Sequence, residues 1–234
     1  MRQVVEPVLA GTLDQFDPYN DDVQYVADLG LIAPKAPLRI ANPVYREAIV
    51  RVLAANVEFK VTADPRGFVL DDGRLDFDLL LREFAVFWRE HADVLTSGIV
   101  YHEVAPQLVL MGYLQRLVNG GDGKRFAGSA GHVDREYGTG RGRIDLLIRW
   151  PYQTPAGKKA EQRQALELKV WRERESDPLA EGLAQLDGYL DRLGLDTGVL
   201  VVFDRRPQAA PIAERTVFDQ ATSPSGRPVT VLRA

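Results

Sequence analysis

Two short stretches of this chain place charged side chains where an apolar strand would otherwise run on unbroken. In LELKVW, Glu167 and Lys169 are two residues apart. The period of two along a strand therefore aims both from one face, with Leu166, Leu168 and Val170 directed into the core. In GRIDLLI, Asp145 interrupts a second apolar run, 22 residues before Glu167, which leaves room for one loop between neighbouring antiparallel strands. Unpaired charges inside a sheet are costly, so something must compensate them. Two carboxylates on adjacent strands can chelate one Mg2+, and an ammonium beside them can sit next to a metal-bound water. Those are the requirements of phosphodiester hydrolysis: a hard cation at the phosphate, an activated water and a cationic neighbour. A buried Asp-Lys-Glu ion network with no catalytic role would use the same three residues.

The surrounding pattern supplies elements to hold them. From 132, HVDREYGTGRGRIDLLIRW alternates as a sheet requires and predicts a strand, a Gly-rich turn at 138–142 and a second strand. A polar loop is expected at 151–163, then a third strand, QALELKVW. AEGLAQLDGYLDRLG reads as a helix with a glycine stop, and TGVLVVFD as a buried strand after a crossover. The tail predicts two strands around a Ser-Pro-Ser-Gly turn. Upstream, SGIVYHEVAPQLVLMGYLQRLVNGG is an apolar helix whose regular part starts near Pro106 or kinks there, and 121–131 is a glycine-rich loop. The order from 97 onward is α-β-β-β-α-β with an added hairpin, an α/β fold.

The N-terminal part is less informative. Val23, Val26, Ala27 and Leu29 mark one helical face that Gly30 ends, LRI at 38–40 is a short strand, and Asn42-Pro43 opens a helix through VYREAIVRVLAANV. Residues 62–74 are turn-rich connector. From 76, an amphipathic helix carries Leu80, Leu81, Phe84, Phe87 and Trp88 at core spacing. We divide the chain into 1–62, a connector and helix at 63–95, and 96–234.

Composition narrows the chemistry. With 234 residues and no cysteine, disulfides and thiolate zinc sites are excluded, and three scattered histidines offer no ligand spacing. Any metal must be held by oxygen. The net charge of −4 argues against coating nucleic acid by bulk electrostatics. It is divided unevenly: residues 1–100 carry 10 Lys/Arg against 16 Asp/Glu, and 101–234 carry 19 against 17. Arg135, Arg141, Arg143 and Arg149, followed by Lys158, Lys159 and Arg163, predict a local basic rim. No apolar run approaches the roughly 18 residues of a membrane span, and the N-terminus lacks a signal-peptide layout, so a cytoplasmic protein with no membrane partner is expected.

The ordered motifs YLQRLVNGG, DREYGTGRGRIDLLIRWP, LELKV, EGLAQLDGYLDRLG and LVVFDRR, spanning about 101–206, resemble the PD-(D/E)XK nuclease superfamily. More narrowly, they resemble the nuclease domain found C-terminal to AAA-type ATPase modules in bacterial proteins. YVADLGLI with LRIANPVYREAI is similar to the winged-helix-like extension that follows the ATPase core. The resemblance implies a restriction-endonuclease-like core, a central mixed sheet flanked by helices, behind a small N-terminal winged-helix-like helical unit. It implies metal binding, Mg2+ or Mn2+, by Asp145 and Glu167 with the Leu168 carbonyl, and a water oriented by Lys169. Glu103 would add a metal contact, Gln185 would support the site with Tyr189 one turn beyond, and Arg141 and Arg143 would meet the phosphate of a nucleic acid, in the first instance DNA. Ile144-Asp145 stands where the superfamily usually has Pro-Asp. No GxxxxGK[ST] occurs, since Gly123-Lys124 is followed by Arg125, so an ATPase partner would be a module this chain lacks, the chain being either a fragment or a natural protein without it. The alternative is a catalytically silent nuclease fold that binds nucleic acid or regulates an ATPase.

Overall fold

The computed structural model describes residues 2–10, 13, 15–35, 37–42, 57–58, 60–97, 105–119, 131–138 and 143–234. The chain forms two compact units, one of residues 1–60 with 93–112, the other of 61–92 with 113–234. No helix among the described residues is long and apolar enough to cross a membrane.

In the first unit, α1 (Arg2–Ala10) and α2 (Asp21–Asp28) accompany a two-stranded antiparallel ribbon of β1 (Ile32–Ala33) and β2 (Arg39–Ile40). Asn20 caps α2, its Oδ1 accepting the N–H groups of Asp22 and Val23. Val23 and Val26 are buried as the spacing predicts, but Leu29 is 45% exposed because it caps the helix rather than extending its apolar face. Gly30 takes up the left-handed conformation (φ +70°) that ends the helix. α1 was not foreseen; Val4, Val5 and Val8 are its buried stripe. The helix expected from Asn42-Pro43 onward lies almost wholly outside the described residues.

The second unit is built on a six-stranded mixed sheet of order β3-β4-β5-β6-β8-β7. Its strands are β3 (His132–Gly138), β4 (Arg143–Gln153), β5 (Lys159–Trp171), β6 (Gly198–Asp204), β7 (Val217–Thr222) and β8 (Pro228–Arg233). β3, β4 and β5 form an antiparallel meander, β5 and β6 run parallel, β8 runs parallel to β6, and β7 returns antiparallel along β8. The β5–β6 crossover carries α5 (Leu179–Leu193). This helix covers one sheet face, packing Leu186 and Leu190 against Leu147, Ala165, Leu200, Val202, Val229 and Val231. On the opposite face lies α3 (Phe77–Ser97), whose Trp88 meets Phe203 of β6 with ring centroids 5.2 Å apart. Phe84 of α3 meets Tyr113 of α4 (Ala105–Val118) edge to face, and Phe87 meets it at a tilt. Pro106 sits in the first turn of α4, where its missing N–H costs no intrahelical hydrogen bond. A short α6 (Ile212–Arg215) precedes β7. The chain is thus a mixed α/β protein with a sheet flanked by helices.

One expected loop is mostly strand. β4 runs on to Gln153 and β5 begins at Lys159, so the connection is a tight turn in which Gly157 (φ +74°) donates to Thr154 O. The polar stretch reads as loop in the sequence because its partner is another part of the chain. Gln162 brackets the backbone of Leu75, accepting its N–H at 2.9 Å and donating to its carbonyl at 3.0 Å.

Candidate active site

Asp145, Glu167 and Lys169 come together on the sheet face that α5 covers. Glu167 and Lys169 are paired in parallel register with Leu200 and Val202, both part of the core beneath α5. Asp145 precedes core residue Leu147 by two, which sets it on that face as well. The β4–β5 ladder ends at Leu146↔Leu166. One step further, Asp145 substitutes its side chain for the missing ladder bond, Oδ2 accepting the Leu168 N–H at 2.8 Å. The opening of the two strands there is what admits a carboxylate between them.

Glu167 is 4% exposed, and its Oε2 is buried with no hydrogen-bond partner among the described residues. Its other oxygen lies 3.5 Å from Lys169 Nζ. Burial, reinforced by the charge of Asp145 and opposed by that of Lys169, raises its carboxyl to about 8. Lys169 in turn donates to Gln185 Oε1 at 2.6 Å and to Glu181 Oε1 at 3.0 Å, and Gln185 Nε2 donates to Glu181 Oε1 at 2.9 Å. The hydrogen bond from Lys169 holds the Glu181 carboxyl below its usual range.

Gln185 thus lies beside Lys169, and so does Glu181, which the sequence reading did not single out. The signal for Glu181 was present, since a spacing of four puts it on the helical face of Gln185. Which face α5 turns to the sheet is what its sequence leaves open. Glu103 and Arg141 lie outside the described residues; Arg143 is placed only as the β4 residue paired with Gly138. Arg149 is committed to Asp134 at 2.7 Å, and Arg163 donates to the carbonyl of Leu193. Lys159 pairs with Gln153 at the far end of β4, about 26 Å along the strand from Asp145 at ~3.3 Å per residue. Arg149, Arg163 and Lys159 therefore do not gather beside the carboxylates, and the side chains of Arg135, Arg141 and Arg143 lie outside the described residues.

Asp145 and Glu167 suit a divalent cation: they are two hard oxygen donors that repel each other, and one of them has a buried oxygen with no hydrogen-bond partner among the described residues. Among the described residues no group of three or more His, Asp or Glu side chains is arranged to hold a metal ion, so any third ligand must come from a backbone carbonyl, water or residues outside that set.

Fold and site together define an α/β protein whose sheet carries a carboxylate pair and a lysine under its crossover helix. No family model matches the chain, and neither a curated protein nor a solved structure is similar to it.

Proposed function

We propose that the chain is a metal-dependent nuclease of the PD-(D/E)XK type, hydrolysing phosphodiester bonds in DNA. The observation that carries the reading is Glu167: a buried carboxyl, one oxygen unpartnered, beside a second carboxylate and a lysine on one face of a sheet. Buried carboxylate oxygens in structural ion networks are as a rule hydrogen-bonded, so the unpartnered Oε2 beside a second carboxylate favours a site for a ligand. The element order α4-β3-β4-β5-α5-β6 agrees with a restriction-endonuclease-like core. In this reading the N-terminal unit is a winged-helix-like extension, and an AAA-type ATPase module is the partner.

Asp145 and Glu167, with the Leu168 carbonyl, would hold Mg2+ or Mn2+. When bound, the cation neutralises phosphate charge and lowers the pKa of its water. The chain's own part is to hold Glu167 buried beside the Lys169 ammonium and to fix Asp145 against the Leu168 amide. Glu103, Arg141 and Arg143 belong to the same proposal, as a further acid and as phosphate contacts.

One observation favours the silent-module alternative: Lys169 is already engaged by Glu181 and Gln185. Cleavage of plasmid and linear DNA in Mg2+ or Mn2+ separates the two. The nuclease reading expects cleavage that EDTA, Asp145→Ala and Lys169→Ala each abolish; cleavage that is absent, or that survives all three, refutes it. Magnesium binding without turnover supports the module.

A further inference from the structure

Lys169 is not shared evenly among the groups around it. Its ammonium is 2.6 Å from Gln185 Oε1 and 3.0 Å from Glu181 Oε1, but 3.5 Å from Glu167 Oε1. Glu167 is the buried acid and gains most from a close cation, yet it receives the longest contact. The lysine is drawn toward α5 by a closed triangle, because Gln185 also donates to the oxygen of Glu181 that accepts from Lys169. Glu181 reaches in from the first turn of the helix with its side chain 65% exposed, so its own ionisation costs little solvation. An ammonium in full contact with Glu167 would occupy a carboxylate oxygen and repel an incoming dication.

We propose that Glu181 is a positioning residue that keeps the Lys169 ammonium off Glu167 and so leaves the buried carboxylate available to a divalent cation. This rests on the metal-site reading above. Glu181 touches neither substrate nor metal; it acts through the lysine. Gln185 serves the same purpose from one turn further along α5.

The test is a double-mutant cycle on metal affinity, with the full chain, no nucleic acid and MgCl2 as titrant in the calorimeter. The four proteins are wild type, Glu181→Gln, Lys169→Met and the double variant. Glu181→Gln is expected to weaken Mg2+ binding about fivefold, the scale of one exposed ion pair. In the Lys169→Met background the same substitution is expected to change nothing, because no ammonium remains to be held. Gln185→Leu should repeat the pattern, and melting curves report the fold of each variant. Equal weakening by Glu181→Gln with and without Lys169 would mean that Glu181 acts through its own charge, and would overturn the proposal. So would unchanged affinity in the single variant. A wild type that takes up no Mg2+ overturns the metal reading itself, an outcome distinct from wild-type binding with an additive cycle.

Discussion

Replacing Glu167 by Gln should stabilise the metal-free protein in alkaline solution while removing its Mg2+ response. In the folded chain the Glu167 carboxyl titrates at about 8 instead of 4.5, chiefly through burial. Between those values the folded state keeps a proton that the unfolded chain has lost. The stability that the neutral carboxyl contributes is therefore fully present below about 4.5 and is lost progressively as pH rises to and through 8. At about 1.4 kcal/mol per pH unit the whole effect is at most ~5 kcal/mol, and water entry around the ionised carboxylate should reduce it to ~2 kcal/mol. Glutamine has nearly the shape of the protonated acid and no charge. Urea unfolding in EDTA should thus give matching stabilities for wild type and Glu167→Gln near pH 5 and a variant more stable by ~2 kcal/mol near pH 9. Adding Mg2+ at the upper pH should raise wild-type stability by mass action and leave the variant unmoved. Parallel pH profiles for the two proteins, or a variant weaker than wild type near pH 9, would refute the claim that a buried, poorly compensated carboxylate sits at this site.

Asp145→Asn keeps an acceptor for the Leu168 N–H and should preserve stability while losing Mg2+ binding, whereas Asp145→Ala should lose both, with ~1–3 kcal/mol of destabilisation in urea melts. Leu186→Ala empties the middle of the core between α5 and the sheet and should cost ~2–5 kcal/mol in the same assay. At Gly182 an added Cβ would lie 2.7 Å from Cδ1 of the fully buried Leu200, so Gly182→Ala should lift α5 off β6 and lower stability by ~1–3 kcal/mol, read as a fall in Tm. Asp187 accepts from Ser223, Ser225 and Arg227 and anchors the β7–β8 turn to α5; Asp187→Ala should cost ~1–3 kcal/mol and speed amide exchange in 223–227.

Much of the second unit was legible in the sequence because each element carries its own period. LVVF could be read as a buried strand, the apolar repeat of α5 as a crossover helix ended by Gly194 (φ +61°), and the Ser-Pro-Ser-Gly stretch as the turn between β7 and β8. The common face of Glu167 and Lys169 follows from strand geometry alone, and Asp145 needed only the assumption that β4 and β5 are neighbours. What spacing leaves open is anything fixed by a partner distant along the chain. The polar run 159–164 is strand because β4 pairs with it and Leu75 bonds Gln162. The C-terminal hairpin extends the sheet beside β6, a placement that no local pattern specifies. Glu181 enters the site because the Leu186–Leu190 stripe turns the polar flank of α5 toward Lys169. Sequence determined which groups are charged and which strand face they share. Only the tertiary packing around that face decided that Glu167 would be buried, and desolvation depends on everything that surrounds a group in space, whatever its separation along the chain.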